Sequence, residues 1–126
     1  MIGNSEIGLV DGSFDEASFH FPQGLCHVYR EGDHVIYVCD VKNHAIREIN
    51  LTRREVLTVV GTGKKSIMTT GMKGHDKKGG RRPEVQTLAS PWDIAAYNRD
   101  IMLIAMAGHH QVWKLNLRTV RLSAIR

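Results

Sequence analysis

The sequence predicts an all-β fold built from two copies of one antiparallel, four-stranded unit. Three observations predict it. Val35-Ile-Tyr-Val-Cys39 is β-branched and aromatic on both faces, as a strand covered on both sides must be. Asp40-Val-Lys-Asn43 interrupts it with turn formers, and His44 to Asn50 resumes the apolar run. The whole pattern then recurs: Met102 to Leu115 aligns without gaps on Ile36 to Ile49, a shift of 66 residues. The repeat settles an ambiguity of period, because Ile46, Ile49, Val56, Leu57 and Val60 also fall on one helical stripe.

The elements follow in order. Glu6 to His20 is a connector; Asp11-Gly12 favours a turn, and Phe14, Ala17 and Phe19 can anchor it. The first unit reads Gly24–Tyr29, Val35–Cys39, His44–Asn50 and Glu55–Val60, with Thr52 to Glu55 turning between the last two strands. Gly61 to Glu84 carries six glycines and no sustained apolar pattern, so it is a long connecting loop. Val85 to Ala89 leads to Pro91. The second unit reads Trp92–Tyr97, Ile101–Met106, Gln111–Leu117 and Thr119–Ile125. Upstream of each unit, Phe21-Pro-Gln-Gly-Leu25 matches Ser90-Pro-Trp-Asp-Ile94 with a shift of 69 residues. Loops between strands absorb the difference in shift cheaply.

Pro22-x-Gly24, then Tyr37-Val-x-Asp40, then Asn43-His44-x-Ile-Arg47, resembles the NHL repeat. In the second copy Pro91, Trp92, Gly108, His110 and Trp113 stand in the corresponding stretch. Asp11-Gly-Ser-Phe, Asn43 to Ile49, Ser90-Pro-Trp-Asp and Ile104-Ala-Met-Ala-Gly together are similar to one subfamily, the NHL-repeat-containing protein 2 and plant suppressor-of-quenching type. Its members join a thioredoxin-like domain to an NHL β-propeller. The resemblance implies four-stranded blades of a propeller, about two of them. Residues 1–23 are then a connector, 24–60 a first blade, 61–90 a basic Gly-rich loop and connector, and 91–126 a second blade. Nothing here resembles the thioredoxin-like part, and the Lys64 to Met72 region and the tail after Leu117 match the subfamily poorly.

Closed propellers need roughly 4–8 blades, and stacked repeats usually need about three for stability. With 126 residues, two blades cannot close a ring. The expectation is a segment of a larger protein, or a chain that completes itself by self-association. Two blade faces are expected to lie uncovered, leaving the isolated chain marginal or oligomeric. No signal peptide or membrane-length apolar run is visible, and two cysteines make no disulfide framework. Cys26 and Cys39 therefore read as buried thiols in a reducing, intracellular and cytoplasmic setting. Asn50-Leu-Thr52 fits a glycosylation pattern by chance.

Chemistry is sparse. The resemblance makes Asp40, Asn43, His44 and Arg47 blade scaffolding: strand-end carboxylate, turn residues and a guanidinium that reaches a neighbouring strand. The alternative, a ligand or metal site at the mouth of the propeller channel, carries less. Met106 stands where Asp40 stands, which puts the second turn's geometry in question. None of the seven histidines is spaced i, i+4 from another, and no C-x-x-C exists. No nucleophile elbow occurs. No catalytic residue, metal or cofactor is expected.

The sharper signal is charge. Lys64, Lys65, Lys73, Lys77, Lys78, Arg81 and Arg82 face only Asp76 and Glu84 within the loop, which is thus +5 in a chain of +4. Such a segment can hold an anion: RNA, a lipid headgroup or an acidic protein patch. It lacks aromatic residues for stacking bases, so nucleic acid is not the expected partner. Trp92 and Trp113 are expected to pack between blades. The resulting functional expectation is a non-catalytic scaffold or protein-interaction surface. Anion or RNA binding through residues 64–82 is the alternative, and an accessory role in a thioredoxin-like redox protein a second one.

Overall fold

The computed structural model describes residues 1–65 and 88–125. Its strands are β1 (Gly12–Ser13), β2 (Pro22–Arg30), β3 (Asp33–Asp40), β4 (Ala45–Asn50), β5 (Glu55–Val60), β6 (Pro91–Ala96), β7 (Ile101–Met106), β8 (Gln111–Asn116) and β9 (Arg121–Ala124). They form two antiparallel sheets, ordered β1-β5-β4-β3-β2 and β6-β7-β8-β9. Each is a four-stranded blade, and β1 adds a short fifth strand to the edge of the first. The segment from Ile46 to Val60 is two paired strands, not a helix.

The two blades share their irregularities as well as their strands. A 3₁₀ turn follows β3 at Val41–Asn43 and another follows β7 at Ala107–His109. Each ends on a histidine in the left-handed region, His44 (φ 49°, ψ 51°) and His110 (φ 55°, ψ 41°). Phe21 (φ 68°) and Ser90 (φ 51°), each before its proline, are also left-handed. Their carbonyls accept from the turns: Val41 N–H to Phe21 O at 3.2 Å, and Ala107 N–H to Ser90 O at 3.1 Å.

The replacement of Asp40 by Met106 leaves this geometry intact. Asp40 (φ −92°, ψ 83°) and Met106 (φ −89°, ψ 82°) have the same backbone. The Asp40 carboxylate accepts from His20 N–H at 2.8 Å, and the Met106 thioether accepts from Ala89 N–H at 3.4 Å. A weaker acceptor suffices because the backbone bonds already hold the turn.

The blades stack face to face. Tyr37, Cys39 and Ile46 of the first bury against Ile94, Met102, Ile104, Trp113, Leu115 and Leu122 of the second, with Leu88 between them. Burying side chains of this size contributes roughly 1.5–3 kcal/mol each. Gly24 is where the innermost strands touch. A Cβ there would lie 2.6 Å from Asp93 Cα and 2.8 Å from Trp92 O.

The expectation of two uncovered faces needs correction. Phe14 and Ala17 of the connector pack on Val38, Ile49 and Val56, with Phe19 alongside, and cover most of the first blade's far face. Leu25 and Tyr29 of β2 remain exposed there. The second blade's far face is open. Leu103, Ala105 and Val112 occupy the positions that Tyr37, Cys39 and Ile46 occupy one repeat earlier, yet none of the three is buried.

Candidate functional site: the cleft between the blades

The motif residues of the first blade are spent inside the fold. Arg47 is fully buried and bonds Asp40 Oδ2 at 2.8 Å, Ser18 O at 2.8 Å, Val10 O at 2.9 Å and Asp11 Oδ1 at 3.0 Å. Its guanidinium also lies 4.7 Å from the centre of the Phe19 ring. Asn43 donates to Asp40 Oδ2 and to Gly8 O, each at 2.7 Å. The buried pair therefore ties the connector to the blade. Tyr37 donates to Glu48 at 2.9 Å, and burial and that carboxylate push its phenol well above the ordinary range. The same positions in the second blade are apolar or aromatic. His109 stacks on the fully buried Trp113 with ring centres 5.8 Å apart, and neither ring nitrogen has a hydrogen-bond partner among the described residues. Burial and the positive charge of Lys65 hold its pKa below the usual histidine value.

His44 behaves differently. Its Nδ1 accepts from Ser90 N–H at 2.9 Å, so the turn of one blade grips the first residues of the next. An accepting Nδ1 is unprotonated, which places the proton of the neutral ring on Nε2. Burial, then Lys65 and His20, lower its pKa and favour that neutral form.

This contact forms the floor of a cleft of about 560 Å3 between the blades, open at the end that carries the 3₁₀ turns. His20, Phe21, Lys42 and His44 line one wall; Ser90, Trp92 and Gly108 line the other, with Lys65 at the rim. Lys42 Nζ sits 5.8 Å from the centre of the Phe21 ring. Among the described residues, no carboxylate lines the cleft.

Trp92 departs from the expected blade-to-blade packing: it is 45% exposed and lies in the cleft wall. The bulge between Pro91 and Asp93 takes it out of the strand's alternation, while Trp113, in a regular strand, is buried. Pro22 lies on β2 and is exposed; Pro91 is buried at the start of β6. Gly108 abuts the Ala89 carbonyl, and His110 is exposed on the open side of the second blade. Of the predicted anion-binding set, Lys65 reaches the cleft and Lys64 is exposed beside it; Lys73, Lys77, Lys78, Arg81 and Arg82 lie outside the described residues. Phe21, Lys42 and Ser90 carried no chemical signal in the sequence. Phe21 and Lys42 meet within the first blade, and the stacking of blades brings Ser90 to them. Cys26 and Cys39 are both free thiols, and burial raises the pKa of Cys39. Asn50 Nδ2 donates to Asp33 at 2.9 Å, so the amide of the glycosylation pattern is already engaged. Among the described residues no cluster of histidine, cysteine or carboxylate can hold a metal, and no helix is long and apolar enough to cross a membrane.

No protein-family model matches the chain. Over 118 residues, 92% of its length, it is 42% identical to Protein SUPPRESSOR OF QUENCHING 1, chloroplastic, of Arabidopsis thaliana. Over 128 aligned residues, 96% of its length, it is 39% identical to NHL repeat-containing protein 2 of Homo sapiens. It spans only 10% of the first relative and 16% of the second. Among solved structures, a structural genomics protein of unknown function from Bacteroides thetaiotaomicron superposes with a TM-score of 0.70 at 22% identity, over 98% of this chain and 26% of that one. An auxiliary nutrient binding protein from Bacteroides ovatus superposes with a TM-score of 0.65 at 21% identity, over 97% and 27%. These structural likenesses concern the fold. The chain is homologous to a short stretch of the NHL-repeat relatives and is a propeller-type segment of about two blades.

Proposed function

We propose that this segment is a non-catalytic scaffold, whose exposed surfaces hold protein partners within a longer NHL-type protein. One observation carries the reading. The polar motif residues are consumed by internal bonds, while an apolar blade face and an inter-blade cleft are left facing out. Rigid blades with surfaces free to vary suit partner binding.

The open face supplies the test. Leu103, Ala105 and Val112 repeat the positions that bury the first blade against the second, so the surface they form is fitted to another blade, from the same protein or from a second copy. In light scattering at rising concentration, the chain should self-associate, and Val112→Glu should weaken that association without altering the circular dichroism spectrum. A chain that stays monomeric throughout, with or without the substitution, would remove the support for an interaction role of this face.

A further inference from the structure

We propose that the cleft between the blades is a binding site for an acidic peptide segment, with Lys42 and Lys65 receiving carboxylates and Phe21 and Trp92 receiving a neighbouring apolar side chain. The proposal deepens the scaffold reading and rests on it. Its first support is charge. Residues 1–65 and 88–125 hold eleven lysines and arginines against eleven aspartates and glutamates, so the described surface is neutral as a whole. Within it the cleft wall has two lysines and no carboxylate. Cation without anion, on a neutral background, is local complementarity to an anionic ligand.

The second support is the free donor. His44 Nδ1 is occupied by Ser90 N–H, which leaves the imidazole's Nε2–H to donate in a wall that the ligand would contact. The third is apolar surface. Phe21 and Trp92 are each about half exposed, 49% and 45%, on opposite walls. Half-exposed aromatics beside lysines are what an alternating acidic and apolar peptide covers. The volume of about 560 Å3 lies within the range of ordinary ligand sites, roughly 300–1,000 Å3. Nucleic acid is the poorer fit, because a strand needs cations and stacking rings repeated along a track, whereas the cleft wall holds two lysines and two aromatic rings at one place.

The test uses the full chain and a dye-labelled, glutamate-rich peptide carrying phenylalanine. Fluorescence anisotropy should show saturable binding that the lysine-for-glutamate peptide does not reproduce. Lys42→Glu with Lys65→Glu should weaken it at least about tenfold, which corresponds to about 1.4 kcal/mol. Trp92→Phe gives an independent reading, since Trp113 is buried: iodide should quench the native chain more than caesium does, and the excess should vanish with Trp92→Phe or the double charge reversal. Equal binding of both peptides, no effect of the charge reversal, or equal quenching by iodide and caesium would overturn the proposal. So would a labelled single-stranded oligonucleotide that binds tighter than the glutamate peptide. Self-association through Val112 is measured on the same samples, so a failed cleft and a failed scaffold reading are told apart.

Discussion

At the residue scale, the decisive group is Arg47. It is a fully buried cation that binds the buried Asp40 carboxylate and two connector carbonyls, and it closes a network reaching back to Val10 and Ser18. Without Asp40 the buried guanidinium keeps only the half-exposed Asp11 carboxylate as counter-charge, and His20 N–H and the Asn43 amide lose an acceptor. Asp40→Ala should therefore cost about 3–5 kcal/mol in urea unfolding. A loss below about 1 kcal/mol would mean the pair is solvated in solution. His44 makes the second prediction. Its pKa is lowered in the fold, chiefly by burial, so the unfolded chain binds more protons below the ordinary histidine value. Stability from this group is complete above about pH 6.5 and falls as the pH drops below it. His109 is shifted in the same direction and adds to the fall. His44→Gln, which keeps an acceptor for Ser90 N–H, should flatten part of that slope in melts between pH 7 and 5. An unchanged slope would show that His44 does not titrate differently in the two states.

At the element scale, the informative contact is between the innermost strands, β2 and β6. Gly24 is required by close approach of backbone to backbone, since a methyl group would meet Asp93 Cα and Trp92 O. Gly24→Ala should cost about 1–3 kcal/mol by forcing the blades apart. The strands themselves were legible in the sequence. Val35 to Cys39 and Met102 to Met106 alternate and pair as their residue types dictate. The turns were legible through their second copy, and the doubt raised by Met106 is answered by backbone bonds that ignore side-chain chemistry. Trp92 was not legible, because a bulge of one residue reverses which face a side chain takes. The cleft was not legible either. His20 and Lys42 meet within the first blade, and Ser90 joins them only when the second blade stacks on it.

At the scale of the whole molecule, asymmetry matters most. Phe14, Ala17 and Phe19 shield one end of the stack, and the other end offers Leu103, Ala105 and Val112 to solvent. A two-blade unit with one shielded end can add a blade at the other, which fits a chain spanning a tenth to a sixth of its relatives. The shield is itself testable. Phe14→Ala should cost about 3–5 kcal/mol if the connector is packed, and a near-neutral result would show it detached.

All of this rests on two like blades lying face to face, and proton NMR examines that contact directly. The structure predicts a strong nuclear Overhauser cross-peak between the α-protons of Gly24 and Asp93, with slow hydrogen exchange at the Ser90 amide held by His44. Absence of that cross-peak in a folded sample, with Ser90 exchanging as fast as an open chain, would contradict the stack and the cleft between its blades.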